Sequence, residues 1–164
     1  MDRLWTPWRY QYVQKTKQEA GCIFCRMAAE QDDDANFIVH RGARNFIVLN
    51  IFPYTTGHMM IVPYEHVDRL ECASPETLDE MIQLARESER HLREVYHPAG
   101  FNLGMNLGEV AGAGIAEHIH MHVLPRWVGD SNFMTAIAET RVLPEELPVT
   151  YRRLREAFTP RNQG

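Results

Sequence analysis

Short apolar runs broken by turn-forming residues occupy the first half of the chain. Phe37-Ile-Val-His and Asn45-Phe-Ile-Val-Leu-Asn are β-branched and aromatic stretches separated by Arg41-Gly-Ala-Arg, a pattern that predicts a hairpin. His58-Met-Met-Ile-Val-Pro, set off by Pro53 and Gly57, predicts a third strand. The acidic run from Asp32 to Ala35 reads as a solvated turn. Ser74 followed by Pro75 is a helix start: the serine caps, and a proline at the first helical position loses no hydrogen bond. From there Leu78, Met81, Ile82, Ala85, Leu92, Val95 and Tyr96 recur at helical spacing until Pro98 and Gly100. Gly100 to Asn106 predicts a fourth strand, and a glycine-rich turn from Gly108 to Gly114 leads into a fifth, His118-Ile-His-Met-His-Val-Leu. Leu147 to Phe158 predicts a short helix. Strands, one long helix, then two more strands with no helix between them predict an α+β fold on an antiparallel five-stranded sheet.

The fifth strand carries the strongest chemical signal. Its period of two puts His118, His120 and His122 on one face and Ile119, Met121 and Val123 on the other. Three imidazoles in register need partners if buried, because each ring carries a donor and an acceptor. A polar outer face of an edge strand would also accommodate them. Neighbours on one face sit about 7 Å apart, within reach of one metal or one phosphate chain. Gly108, Gly112 and Gly114 just before them can turn backbone N–H groups toward an anion.

Cys22-Ile-Phe-Cys25 is a second constellation. Two cysteines at this spacing suggest a metal or a redox pair rather than a disulfide framework. No βαβ pattern surrounds them, which argues against a thioredoxin-like site. Zinc needs four ligands, and His66 and His118 are the candidates for the other two. Two small packing cysteines without a metal are the plain alternative. Cys72 has no partner at metal spacing and reads as structural.

Composition narrows the function classes. The 164 residues are 45% hydrophobic and 24% charged, enough for one packed domain over 1–164, with 1–20 and 145–164 as extensions. A net charge of −5 argues against holding long nucleic acid by bulk charge. No apolar run reaches the ~18 residues of a membrane span, and the N-terminus lacks a signal-peptide pattern, so a cytoplasmic location is expected.

Together these residues resemble the histidine triad family of nucleotide hydrolases and transferases. The resemblance lies in His118 to Leu124, in Leu49-Asn50 with Gly57-His58 and Ile61-Val62-Pro63, and in Gly100-Phe-Asn, and it covers roughly residues 20 to 128. Leu4 to Pro7, Pro53-Tyr54, Asn106-Leu-Gly, Ala116-Glu117-His118, Pro125-Arg126-Trp127, Gly129-Asp130 and Asn132-Phe133 resemble the bacterial branch that phosphorolyses diadenosine tetraphosphate. The resemblance implies the family's sheet with one long helix and short flanking helices. It makes His120 the nucleophile that forms a nucleotidyl-histidine intermediate and His122 the group beside the phosphate. Asn50 would bind ribose, His58 would support the triad, and Asn106 with the amides of Ala113 and Gly114 would face the phosphate. Phe24 would line the base pocket or the core. Arg126 is a candidate for a phosphate pocket covered by Trp127. Cys22, Cys25, His66 and His118 would hold a structural zinc. The partners implied are a dinucleoside polyphosphate or adenine nucleotide, inorganic phosphate and a second copy in a homodimer, with Trp5, Trp8 and Tyr10 wrapping a neighbour or the site. Hydrolysis of dinucleotides or purine phosphoramidates, and a non-catalytic nucleotide-binding module, are the alternatives. The glycine turn is one residue longer than the common family pattern, and Gly114 or Ile115 stands where many members carry Gln, Ser or Thr.

Overall fold

The computed structural model describes residues 21–130 and 144–159. Two helices, α1 (Ile23–Ala29) and α2 (Asp33–Asn36), precede the hairpin β1 (Ile38–Arg41) and β2 (Asn45–Leu49). Strand β3 (Met59–Pro63), the long helix α3 (Pro75–Tyr96), strands β4 (Gly100–Gly104) and β5 (Met121–Arg126), and helix α4 (Leu147–Phe158) follow. The five strands form one antiparallel sheet, as the sequence pattern predicts, and their order in it is β1-β2-β3-β5-β4. Asp32 to Ala35 is not simply a turn: Asp32 caps α2 by accepting from the Ala35 N–H at 3.0 Å. The segments containing Trp5, Trp8, Tyr10, Asn132 and Phe133 lie outside the described residues.

Each face of the sheet carries its own apolar cluster. Val39, Ile47, Leu49, Met59, Ile61 and Val123 pack beneath α3 and α4 with Met81, Leu84, Leu92 and Leu154. Ile38, Phe46, Val48 and Val62 face the other way and are covered by Phe24 from α1 and by Ile115. All five residues of β2 are therefore buried, as expected for a strand covered on both sides. Ser74 caps α3 by accepting from the Thr77 N–H, with Pro75 in the first turn. At the other end His97 itself adopts the left-handed conformation, φ 48°, and its N–H returns to the Arg93 carbonyl. The buried stripe of α3 is rotated from the apolar count. Ile82 is 57% exposed, while Thr77, Ser88 and His91 are buried, so three polar residues belong to the inner face.

Strand β5 begins later than its alternation predicts. Its ladder with β3 pairs Met59 with Val123, Met60 with His122 and Ile61 with Met121, then stops. Continuation would require Pro63, which has no N–H to give. The Pro63 carbonyl instead faces the His118 ring, and the Ile119 N–H donates to Val67 at 2.8 Å. His118 and His120 thus stand on irregular backbone leading into the strand, and His122 on the strand itself.

Candidate active site and metal cluster

The triad gathers on the face covered by α1. His122 stands opposite Met60, whose side chain packs with the Phe24 cluster, and opposite Gly104 on the other side, which presents no side chain beside it. The His120 and His122 rings are 5.0 Å apart, and the Phe24 ring lies 5.2 Å from His120 and 5.4 Å from His118. Phe24 is 1% exposed, so it is a core residue that supports both histidines.

Hydrogen bonds assign the proton position in each ring. A carbonyl only accepts, so His120 Nδ1, 2.9 Å from the His118 carbonyl, carries the proton and leaves the Nε2 lone pair available. His118 Nε2 donates to the Pro63 carbonyl at 2.9 Å, which makes its Nδ1 the unprotonated nitrogen. His58 Nδ1 accepts from the Tyr54 N–H at 3.2 Å, so its Nε2–H donates to His122 Nδ1 at 2.9 Å. That fixes the His122 proton on Nε2. Burial lowers the His120 pKa from its ordinary value, outweighing the hydrogen bond to the His118 carbonyl, and favours the neutral ring. Burial lowers the His118 pKa as well.

The unprotonated His118 Nδ1 points at the cysteine pair. Cys22 is the N-cap of α1 and Cys25 lies in its first turn, so one helix start presents both thiols. Cys22 Sγ is 3.2 Å and Cys25 Sγ 3.7 Å from His118 Nδ1, and His66 Nδ1 is 3.2 Å from Cys25 Sγ. All four donor atoms lie within 4.8 Å of one another. A tetrahedral zinc ion with bonds of about 2.3 Å to sulfur and 2.0–2.1 Å to nitrogen spaces its donors about 3.3–3.8 Å apart. The cluster fits such an ion with little movement, and the four residues can hold a metal. Burial and the neighbouring Cys22 push the Cys25 thiol up, so metal binding there would displace its proton. Cys72, read from the sequence as structural, is exposed on a short 3₁₀ turn (Leu70–Cys72).

The remaining candidates are placed less uniformly. Asn50 is half-buried, with its Oδ1 accepting from the Phe52 N–H at 2.9 Å, so the group it offers a ligand is its amide N–H. Asn106 reaches the Gly112 carbonyl at 3.5 Å, within the turn whose Gly108 and Gly112 have φ of 84° and 92°. The Ala113 amide, expected to face phosphate, donates to the Gly108 carbonyl at 3.2 Å. Gly114 is exposed in the same turn. Arg126 has other work: Nε and Nη2 grip both oxygens of Asp130 at 2.6 and 2.7 Å, and Nη1 donates to Asn102 at 2.6 Å. It also stands four residues along the strand from His122, about 13 Å away. The Trp127 indole N–H donates to the Tyr96 carbonyl at 3.4 Å.

Sequence reasoning did not foresee the Tyr54 amide, the Pro63 carbonyl or the His118 carbonyl as the groups that set the three tautomers. Backbone groups carry no residue-type signal.

The HIT domain family model matches residues 31–128. An AP-4-A phosphorylase from Mycobacterium tuberculosis is 37% identical over 161 residues, spanning 94% of this chain and 83% of that protein. Protein hit of Bacillus subtilis is 29% identical over 130 residues, spanning 77% of this chain and 87% of that protein. Among solved structures, a zinc-bound histidine triad family protein from Mycobacterium smegmatis superposes with a TM-score of 0.69 at 30% identity, covering 84% of this chain and 92% of that one.

Proposed function

Because the chain belongs to the histidine triad (HIT) family, we propose that it transfers a nucleotidyl group from a dinucleoside polyphosphate through His120, and that phosphorolysis of diadenosine tetraphosphate to ADP and ATP is its reaction. The observation that carries this reading is the His120 tautomer: Nδ1–H held by the His118 carbonyl, Nε2 unprotonated. His120 Nε2 attacks the α-phosphorus, the phosphorus–nitrogen bond forms, and the bond to the bridging oxygen breaks to release ATP. His122, with its proton on Nε2, donates to an oxygen of the departing chain. Inorganic phosphate then attacks the nucleotidyl-histidine, forming ADP and returning His120 to its neutral state. Water in its place would give AMP. The Asn50 amide suits a ribose hydroxyl, and Asn106 and the Gly114 amide suit phosphate oxygens.

Cys22, Cys25, His66 and His118 are proposed to hold zinc in a structural role, since four protein ligands leave no open position. Zinc there would fix His118 and so the backbone carbonyl that holds the His120 proton. The described helices include none long and apolar enough to cross a membrane. A homodimer joined along β4, whose Leu103 is 48% exposed, follows from the same reading, and light scattering on the purified protein tests it. The decisive experiment is turnover of diadenosine tetraphosphate with and without inorganic phosphate, products separated by chromatography. ADP plus ATP that requires phosphate supports the reading. AMP plus ATP without that requirement replaces it with hydrolysis, and no turnover by wild type refutes both.

A further inference from the structure

We propose that Arg41 is a positioning residue for the metal cluster, acting on the two thiols through the opposite end of helix α1. The inference rests on the reading of Cys22, Cys25, His66 and His118 as metal ligands. Helix α1 has seven residues and spans about 10 Å, too short to be stable by itself, so tertiary contacts must set its direction. Its first turn presents the thiols and its middle is anchored by buried Phe24. Its last carbonyls have no partners within the helix. Arg41, from the end of β1, supplies them: Nη1 donates to the Ala28 carbonyl at 3.0 Å, and Nη2 to the Met27 and Glu30 carbonyls at 3.2 and 2.8 Å. One guanidinium therefore closes the helix end and places positive charge at the negative pole of the helix dipole.

The guanidinium is itself held. Its Nε donates to Asp33 Oδ1 at 2.8 Å, while Asp33 Oδ2 accepts from Arg155 of α4 at 3.0 Å. The cluster thus has thiols at one end of a short rod and a planar, multiply bonded cation at the other. Metal–ligand bonds in a formed site hold to within about 0.2 Å, so a tilt of this rod that carries the thiols away from His66 and His118 weakens the site without altering any ligand. Lysine cannot replace the fork, because a single ammonium cannot span three carbonyls and a carboxylate in this plane.

The test uses the full chain, stripped by chelator and titrated with Co(II) against a competing chromophoric chelator, with the Co(II) visible band as a report on coordination. Arg41→Ala is expected to bind roughly 10- to 100-fold more weakly, the usual cost of losing an outer-shell support, and Arg41→Lys to recover only part of that. Leu92→Ala, in the cluster on the other face of the sheet, calibrates general destabilisation and is expected to bind within about threefold of wild type. Thermal unfolding of the metal-free proteins is measured alongside. A wild type that binds no Co(II) overturns the metal reading itself. A tight wild type with Arg41→Ala unchanged, or weakened no more than Leu92→Ala at matched metal-free stability, overturns the role of Arg41 alone. If Arg41→Ala does not fold, Asp33→Ala, which keeps the guanidinium but removes the acceptor that anchors it, decides: a several-fold weaker affinity supports the proposal, and an unchanged one overturns it.

Discussion

Replacing His58 tests the tautomer argument. The ring is 1% exposed and spends both nitrogens inside the protein, Nδ1 accepting from Tyr54 and Nε2–H donating to His122. In His58→Ala the His122 Nδ1 loses the donor that holds its proton on Nε2, the nitrogen proposed to serve the departing oxygen. A buried polar group stripped of its partner costs about 1–3 kcal/mol. Placed in the transition state, at about 1.36 kcal/mol per decade, that is a loss of roughly 5- to 150-fold in kcat. The substrate need not bind differently, so KM is expected to change by less than about threefold. His58→Gln places a side-chain N–H where the imidazole Nε2–H was, without serving the Tyr54 amide, and is expected to recover part of the rate. The assay is steady-state turnover of diadenosine tetraphosphate at saturating phosphate, with thermal unfolding to confirm that each variant is folded. A folded His58→Ala with kcat within about twofold of wild type refutes the reasoning, as does His58→Gln no faster than His58→Ala.

Arg126→Ala is expected to leave the KM for phosphate within about twofold of wild type, because the guanidinium is committed to Asp130 and Asn102; the stability cost of an ion pair this exposed is about 0–1 kcal/mol, read by denaturant unfolding. A several-fold rise in that KM would restore Arg126 to a phosphate pocket. Gly57→Ala is expected to destabilise by about 2–3 kcal/mol, because φ is +79° there and the added Cβ meets Leu92 Cδ2 at 2.9 Å; an unchanged thermal midpoint would contradict the strain. Burial pushes the Asp33 carboxyl up, but hydrogen bonds from Arg41 and Arg155 outweigh it and hold it below the usual carboxylate value. Its contribution is therefore present above the unfolded-state value near 4 and lost as pH falls through the lower folded one, so wild type should lose stability on acidification more steeply than Asp33→Asn in urea titrations. Equal slopes would deny the carboxylate this role.

The elements were legible because their local chemistry agreed with their packing. Ser74-Pro75 caps as serine and proline do, and the hairpin follows from β-branched runs around Gly42. The departures share a cause, which is that tertiary partners are not written in residue type. The inner face of α3 includes Thr77, Ser88 and His91, which an apolar count passes over. Arg126 reads as an anion ligand only until Asp130, four residues on, folds back onto it. Arg41 reads as a turn residue, although its partners on α1 lie 11 to 14 positions earlier. The four candidate metal ligands were separable because thiols at this spacing are an unusual composition, whereas the carbonyls that orient the histidines are offered by every residue.

Those carbonyls explain how three neighbouring residues of one type take on different chemistry. His118, His120 and His122 have the same side chain, and spacing alone gives no reason for the middle one to be the proposed nucleophile. The Pro63 carbonyl accepts a hydrogen bond from His118 Nε2–H and turns its Nδ1 toward sulfur. The His118 carbonyl accepts from His120 Nδ1–H and leaves the far nitrogen unprotonated. His58, itself fixed by the Tyr54 amide, donates a hydrogen bond to His122 Nδ1 and leaves that ring a donor at Nε2. The first two assignments share one residue: His118 lends its ring to the cysteine cluster and its carbonyl to His120. Holding that ring in place therefore also holds the acceptor that sets the tautomer of His120, so on the proposed mechanism the cluster would act on the nucleophile without touching a substrate atom.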